Sequence, residues 1–266
     1  MVTPVADLPI GVFDSGIGGL TVLRALQAHL PRESFIYLGD TARLPYGTKS
    51  AETVRRYALN AAAHLVARGI KALVVACNTA SATALDQLQS AFRPLPVIGV
   101  IEPGALAAAR VARQGSVAVI ATEATVRDGA YQRALLRQGV RQVFARPAPL
   151  LVTLAEEGRE HGDLVRRIVA DYVLEIATMS RADVLLMGCT HFPVFRAVCQ
   201  ELLGADAMIV DSATTTAASV ASQVSPASAA DGRTTYLATD GVDRFRRVGS
   251  FFLGRTIDTV ELVDLV

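Results

Sequence analysis

No stretch of the 266-residue chain reaches the ~18 uninterrupted apolar residues that a membrane-spanning helix needs. The amino terminus, MVTPVADLPIGVFD, also lacks a basic region followed by an apolar run. Neither a membrane span nor a secretory leader is therefore expected, and the expected location is the cytoplasm. An excess of one charge is missing too: 26 Lys and Arg stand against 25 Asp and Glu, scattered, for a net charge of +1. That balance leaves no electrostatic footprint for nucleic acid or an anionic membrane, so a small-molecule partner is expected. Cysteine is scarce. Three residues, an odd number without tight spacing, make neither a disulfide framework nor a zinc site, and a reducing compartment keeps them as thiols. What the chain has in quantity is hydrophobic residues, 51%, against 19% charged. It can bury a large core, and its length falls between one large domain and two ordinary ones.

The remainder of the sequence is arranged around ALVVACNTAS at residues 72–81. Five apolar residues run without alternation into Cys77, the pattern of a parallel strand buried on both faces, and polar groups begin at Asn78 and Thr79. A thiol is thus placed at a strand's carboxyl end, the edge at which open α/β sheets bind ligands. Val184-Leu185-Leu186-Met187-Gly188 repeats the pattern and leads into Cys189-Thr190-His191. Two strand-end thiols suggest two facing half-sites.

Taken in order, the chain alternates strand and helix. Strands are predicted at 10–13, 34–39, 72–76 and 96–101, with helices over 20–30, 51–68 and 80–92 between them. Asp14-Ser15-Gly16-Ile17-Gly18-Gly19 is a glycine turn between strand and helix, where backbone approaches a ligand and exposed amides favour an anion. It is not the dinucleotide fingerprint, because the third glycine is missing at the required offset. Residues 40–50, DTARLPYGTKS, are too rich in Gly, Pro and Thr for regular structure, and Tyr46 and Gly47 there could hold a carboxylate. From Glu102 the pattern restarts: helix 104–113 with Pro103 in its first turn, strand 117–121 ending at Thr122, helix 126–138, strand 140–145, a helix through Glu156 and Glu157, and helix 163–179. Beyond the strand of Cys189 come helix 194–203, strand 208–210 ending at Asp211-Ser212, and an Ala-, Ser- and Thr-rich helix giving way to a loop around Pro226. Strand 235–238, helix 242–253 and an alternating strand 259–265 end the chain. The prediction is an α/β protein of two pseudo-symmetric, doubly wound, mostly parallel-sheet domains. Residues 1–99 with 209–266 form the first, discontinuous domain, and residues 100–208 the second.

A free thiol has a pKa of ~8.5, lowered near helix starts and cations, and Cys77 and Cys189 each precede a predicted helix, which would poise both near neutrality. Cys199, in the helix AVCQELL, reads as a small buried hydrophobe. Two thiols across one crevice suit a reaction in which a proton leaves one face of a carbon and another arrives on the opposite face, a two-base racemisation or epimerisation. Disulfide exchange suits them less, because they lack the spacing of dithiol motifs and a bridge would close the cleft. Asn78, Thr79 and Thr190 supply donors for charge that develops in the transition state. Asp14 could assist Cys77 or orient an ammonium, and His191 could serve Cys189 likewise. No motif for a cofactor, metal or nucleotide accompanies the pair.

Four blocks, DSGIGG at 14–19, LPYGTKS at 44–50, ACNTAS at 76–81 and GCTHFP at 188–193, together resemble glutamate racemase, in that family's order and across essentially the whole chain. The resemblance implies a cofactor-independent interconversion of L- and D-glutamate for peptidoglycan, two α/β domains with the active site between them, and a homodimer. It implies Cys77 and Cys189 as the acid/base thiols, supported by Asp14 and His191, with Glu156, beside Glu157 in LAEEG, resembling the glutamate that orients the histidine. Implied substrate contacts are Asp14, Ser15, Tyr46, Gly47, Asn78, Thr79, Thr190 and His191, with no metal. Phe192 stands where tyrosine is frequent in that family. A relative acting on aspartate or another small acid would keep both thiols, whereas a non-catalytic anion-binding module would need only the glycine turn. Activation by a cell-wall precursor, seen in some members, usually accompanies a longer amino-terminal region.

Overall fold

The computed structural model describes residues 5–228 and 232–265. Residues 1–4, the end of the Ala- and Ser-rich stretch at 229–231, and residue 266 lie outside the described residues. The first half runs β1 (Ile10–Asp14), α1 (Leu20–His29), β2 (Phe35–Gly39), α2 (Ala51–Ala67), β3 (Ala72–Val75), α3 (Asn78–Ala91) and β4 (Val97–Gly99). Helix α4 (Ile101–Val111) leads to β5 (Ser116–Ala121), α5 (Glu123–Asp128), α6 (Ala130–Arg137), β6 (Gln142–Pro147), α7 (Pro149–Glu156) and α8 (Asp163–Ser180). The second half closes with β7 (Val184–Gly188), α9 (Arg196–Leu203), β8 (Met208–Asp211) and α10 (Ser212–Ala221). A tail of β9 (Thr234–Ala238), α11 (Val242–Leu253) and β10 (Glu261–Leu262) follows.

The strands form two sheets, ordered β10-β9-β2-β1-β3-β4 and β6-β5-β7-β8, and every pairing between them is parallel. The order β2-β1-β3-β4 thus recurs as β6-β5-β7-β8, which is the expected pseudo-symmetry. Parallel pairing requires a crossover after each strand, so all carboxyl ends of a sheet share one edge. Where the order reverses, between β1 and β3 and again between β5 and β7, the connecting loops diverge and leave a crevice. Asp14 ends β1, Cys77 stands two residues beyond β3, Thr122 follows β5 and Cys189 follows β7. All four flank those two crevices.

The helices form for local reasons. In α2, Ser50 caps the amino end by accepting a hydrogen bond from the Thr53 amide, and Val54, Ala58, Ala61, Ala62 and Leu65 make a buried stripe at helical spacing. Helix α1 packs on α10, so the main apolar core runs continuously from Leu20 and Leu23 to Ala217 and Val220.

Several boundaries differ from the sequence expectation. Helix α3 begins at Asn78 rather than at 80, with Cys77 as its N-cap, so Asn78 and Thr79 are first-turn residues. Helix α4 starts at Ile101 because β4 already ends at Gly99. The helix expected over 126–138 is two helices, divided by Gly129 in the left-handed conformation at φ 77°. The loop expected to be irregular contains a 3₁₀ turn at Tyr46–Thr48. Only Glu261–Leu262 of the expected last strand pairs, by joining β9. The division expected between 208 and 209 falls inside β8, which pairs with β7 as a unit of the second sheet.

Opposite the carboxyl edge, Lys71 and Glu33 form an ion pair of 2.6 Å between side chains that are 4% and 3% exposed. Lys71 Nζ also donates to the Ala6 and Ser225 carbonyls, and Glu33 Oε1 accepts from the Ala227 amide. This pair ties both ends of the first unit to the start of β3. Replacing Lys71 by Met leaves a buried carboxylate without its counter-charge, a change that costs about 3–5 kcal/mol. Urea unfolding of Lys71→Met is expected to show a loss of that size; a change below about 1 kcal/mol would contradict the account.

Candidate active site

The carboxyl edges of the two sheets enclose a cavity of about 170 Å³. Its first-unit wall carries Ser15, Tyr46, Gly47, Cys77, Asn78 and Thr79; its second-unit wall carries Glu156, Cys189, Thr190 and His191. Asp14 is wholly buried and stands behind this surface rather than in it. Each remaining residue singled out in the sequence therefore reaches one cavity, from both halves of the chain.

Cys77 caps α3 with its thiol: Sγ accepts from the Ala80 amide at 3.4 Å and donates to Ser15 Oγ at 3.4 Å. A helix start ordinarily favours a thiolate, yet burial, reinforced by the Asp14 charge, pushes Cys77 up to about 12. The expectation of a thiol poised near neutrality is overturned at this position. Asp14 is itself shifted upward by burial, against the opposing pull of His191 and of the Gly16 and Gly19 amides. Its Oδ2 accepts from the Gly16 amide at 2.9 Å, which fixes the turn that follows β1.

Cys189 has a different setting. No α-helix follows it directly; the chain turns through a 3₁₀ segment, Phe192–Phe195, before α9. Its Sγ lies 3.7 Å from His191 Nδ1, while His191 Nε2 lies 3.2 Å from Glu156 Oε1. Arg244, from α11, donates to Glu156 Oε2 at 3.2 Å and pairs with Glu157 at 3.6 Å. Of the two adjacent glutamates, Glu156 is the one on the histidine. Burial alone would lower the His191 pKa, but the Cys189 sulfur and the Glu156 carboxylate outweigh it and hold the value at about 10. Burial likewise would raise Glu156, and the hydrogen bonds from His191 and Arg244 prevail and keep it below the usual carboxylate range. Sulfur, imidazolium, carboxylate and guanidinium form one continuous line.

The glycine turn is used differently from the sequence reading. A Cβ on Gly18 would lie 2.5 Å from His191 Nδ1 and 2.7 Å from Thr190 Oγ1, so the bare backbone packs against the second unit's site residues. Thr21 Oγ1 donates to the Thr190 carbonyl at 2.9 Å, and the first turn of α1 is buried. The Leu20 and Thr21 amides of that turn are taken by the Ile17 and Gly18 carbonyls. The Tyr46 hydroxyl is also engaged elsewhere, donating to Asp40 Oδ2 at 2.5 Å; it is a buried ring that shapes the loop, not a free donor.

Sequence reasoning passed over several groups. Thr122 lines the cavity and shares hydrogen bonds with Thr79 at 2.9 Å and Thr125 at 2.9 Å. Its position just past β5, equivalent to the residue after Asp14 in β1, is the clue that was available. Arg244 and Tyr131 lie far along the chain from either thiol, and no local pattern marks them. Among the described residues, no group of three His, Cys, Asp or Glu side chains is placed to hold a metal ion.

The family described as Asp/Glu/Hydantoin racemase matches residues 19–220. A glutamate racemase of Koribacter versatilis is 43% identical over 284 residues, covering 96% of this chain and 97% of that protein. The crystal structure of glutamate racemase isoform RacE1 from Bacillus anthracis superposes with a TM-score of 0.93 at 37% identity, covering 98% of each chain. A glutamate racemase from Francisella tularensis, solved in complex with D-glutamate, gives 0.91 at 34% identity, again over 98% of each chain.

The His191 shift has a consequence for stability. A histidine raised from 6.5 when unfolded to about 10 when folded stabilises fully below the lower value, and that contribution is lost as pH rises toward the higher one. Cys77 acts in the same direction only above its unfolded value of 9.0. The urea midpoint is therefore expected to fall between about pH 7 and about pH 9, and more gently in Glu156→Gln, whose histidine lacks its counter-charge. Equal slopes in parent and variant would contradict this assignment.

Proposed function

The chain belongs to the glutamate racemase family, and from that premise we propose that it interconverts L- and D-glutamate by moving a proton between the substrate α-carbon and two thiols, Cys77 and Cys189. The observation that carries the reading is that both thiols line one cavity from pseudo-symmetric strand ends, each with its own supporting groups. One sulfur takes the α-hydrogen as a proton and the other gives a proton to the opposite face, so each turnover exchanges their protonation states. Cys77, buried beside Asp14, rests as the thiol and is ready to donate. Cys189, 3.7 Å from His191 Nδ1, takes the opposite role. After turnover the Cys77 sulfur keeps the Ala80 amide as a donor, and Ser15 can turn its hydroxyl toward it.

The α-hydrogen of an amino acid is a weak acid, so charge developing on the substrate needs donors fixed before the reaction begins. Ser15, the Gly47 backbone, Asn78, Thr79 and Thr190 are placed to hold the two carboxylates of glutamate, with Thr122 supporting Thr79. Tyr46 contributes by fixing its loop, and Asp14 by acting on Cys77 from behind the wall. Glu156 holds His191, and His191 serves Cys189. The reaction runs on these groups without a cofactor. The product D-glutamate supplies peptidoglycan synthesis, and the enzyme works in the cytoplasm as a homodimer. The bound D-glutamate of the Francisella tularensis relative supports the substrate assignment.

Incubation with either enantiomer of glutamate, with no added cofactor and after dialysis against a chelator, is expected to bring circular dichroism to the same final value. Cys77→Ala and Cys189→Ala are each expected to lose about a thousand-fold or more in both directions, whereas Cys199→Ala retains near-parent activity. Racemisation at near the parent rate in either site variant would overturn the two-thiol reading. Alanine turned over as fast as glutamate would overturn the dicarboxylate assignment.

A further inference from the structure

Tyr131 is the second residue of α6, is 1% exposed, and has no part in the chemistry derived above. The left-handed turn at Gly129 redirects the chain just before it, which separates α6 from α5. Its hydroxyl donates to Asn78 Oδ1 at 2.6 Å across the two units. Asn78 Nδ2 donates in turn to Ser212 Oγ at 3.3 Å, and Ser212 is the first residue of α10. Three buried side chains thus form one hydrogen-bonded chain through the Asn78 amide. Burial holds the phenol far above its usual range, so the hydroxyl stays a donor wherever the enzyme works.

The other end of the same side chain meets the second thiol's strand. A Cβ on Gly188 would lie 2.7 Å from Tyr131 Cε2, and one on Gly104 would lie 3.4 Å from the ring. The ring therefore rests against bare backbone at the residue immediately before Cys189. One rigid aromatic touches the residue after Cys77 with its hydroxyl and the residue before Cys189 with its Cδ2–Cε2 side. Aromatic side chains suit this use because few rotatable bonds stand between the two contacts.

The geometry points to Tyr131 as a positioning residue that fixes the Asn78 amide for the substrate and sets the spacing between the two thiol-bearing half-sites. The inference rests on the racemase reading. It concerns a residue that touches no reacting atom and acts through Asn78 and Gly188. A tyrosine that only filled space would give a different result when its oxygen is removed and its ring kept.

Tyr131→Phe makes that change. Against glutamate its KM is expected to rise about ten-fold in both directions, the scale of one well-placed hydrogen bond, while Tm moves little because the ring still packs. In an Asn78→Ala background the same replacement is expected to add nothing to the loss in kcat/KM, since the group it positions is already gone. Ser212→Ala, which removes the third member, is expected to raise KM in the same direction and serves if Tyr131→Phe does not fold. An active parent with an unchanged KM in Tyr131→Phe, or in Ser212→Ala where that variant stands in, overturns the inference alone. So do fully additive losses with Asn78→Ala. A parent that leaves glutamate unchanged overturns the racemase reading and this inference with it.

Discussion

Two α/β units can share one small site only where the backbone of one comes into direct contact with the site residues of the other, and Gly18 is where this happens. Any side chain there would occupy the space of His191 Nδ1 and Thr190 Oγ1. The Thr21 hydroxyl locks the contact by donating to the Thr190 carbonyl. From that approach follows the rest of the arrangement. Asp14 lies close enough to interact electrostatically with His191, Cys77 lies within electrostatic reach of Cys189, and α11 reaches across with Arg244 to hold Glu156. Of the glycines in the first turn, Gly18 serves packing between the units, Gly19 lies against Asp14 and Tyr37, and Gly16 lines the cavity.

The backbone is nearly symmetric and the chemistry is not. The two switch points have the same strand order, but one thiol is surrounded by burial and a carboxyl group, and the other by an imidazolium held on a carboxylate. Environments that push two groups apart are how a pair of like residues acquires separate acid and base roles. In the proposed mechanism the shared geometry lets the two thiols exchange roles after each turnover. Tyr131 belongs to the geometric half of this description. Asp14 and Glu156 belong to the electrostatic half.

Much of this was legible in the sequence because buried parallel strands write themselves plainly. ALVV and VLLMG are unbroken apolar runs that stop at a cysteine followed by polar residues, and a strand end in an open sheet is a place for a site. The four motif blocks then carried the family. Less legible were features decided by tertiary contact. Cys77 reads as an activated thiol at a helix start, and burial beside Asp14 reverses that. Tyr46 reads as a free hydroxyl in a polar loop, and Asp40 takes it. The sequence 126–138 reads as one helix, because its apolar spacing continues through Gly129 while its backbone does not. Tyr131, Ser212 and Arg244 meet the site from distant points in the chain, and no periodicity announces such partners.

The central claim is that the hydrogen removed from one face of the α-carbon is not the one delivered to the other. Racemisation of unlabelled L-glutamate in deuterated water, followed by mass spectrometry of each enantiomer from the earliest times, tests it directly. The D-glutamate is expected to carry deuterium at the α-position from its first appearance, because its hydrogen comes from a thiol already exchanged with solvent, while recovered L-glutamate stays largely protonated. Early D-glutamate that retained the original hydrogen would mean that one base serves both faces, and the two-thiol account would be wrong.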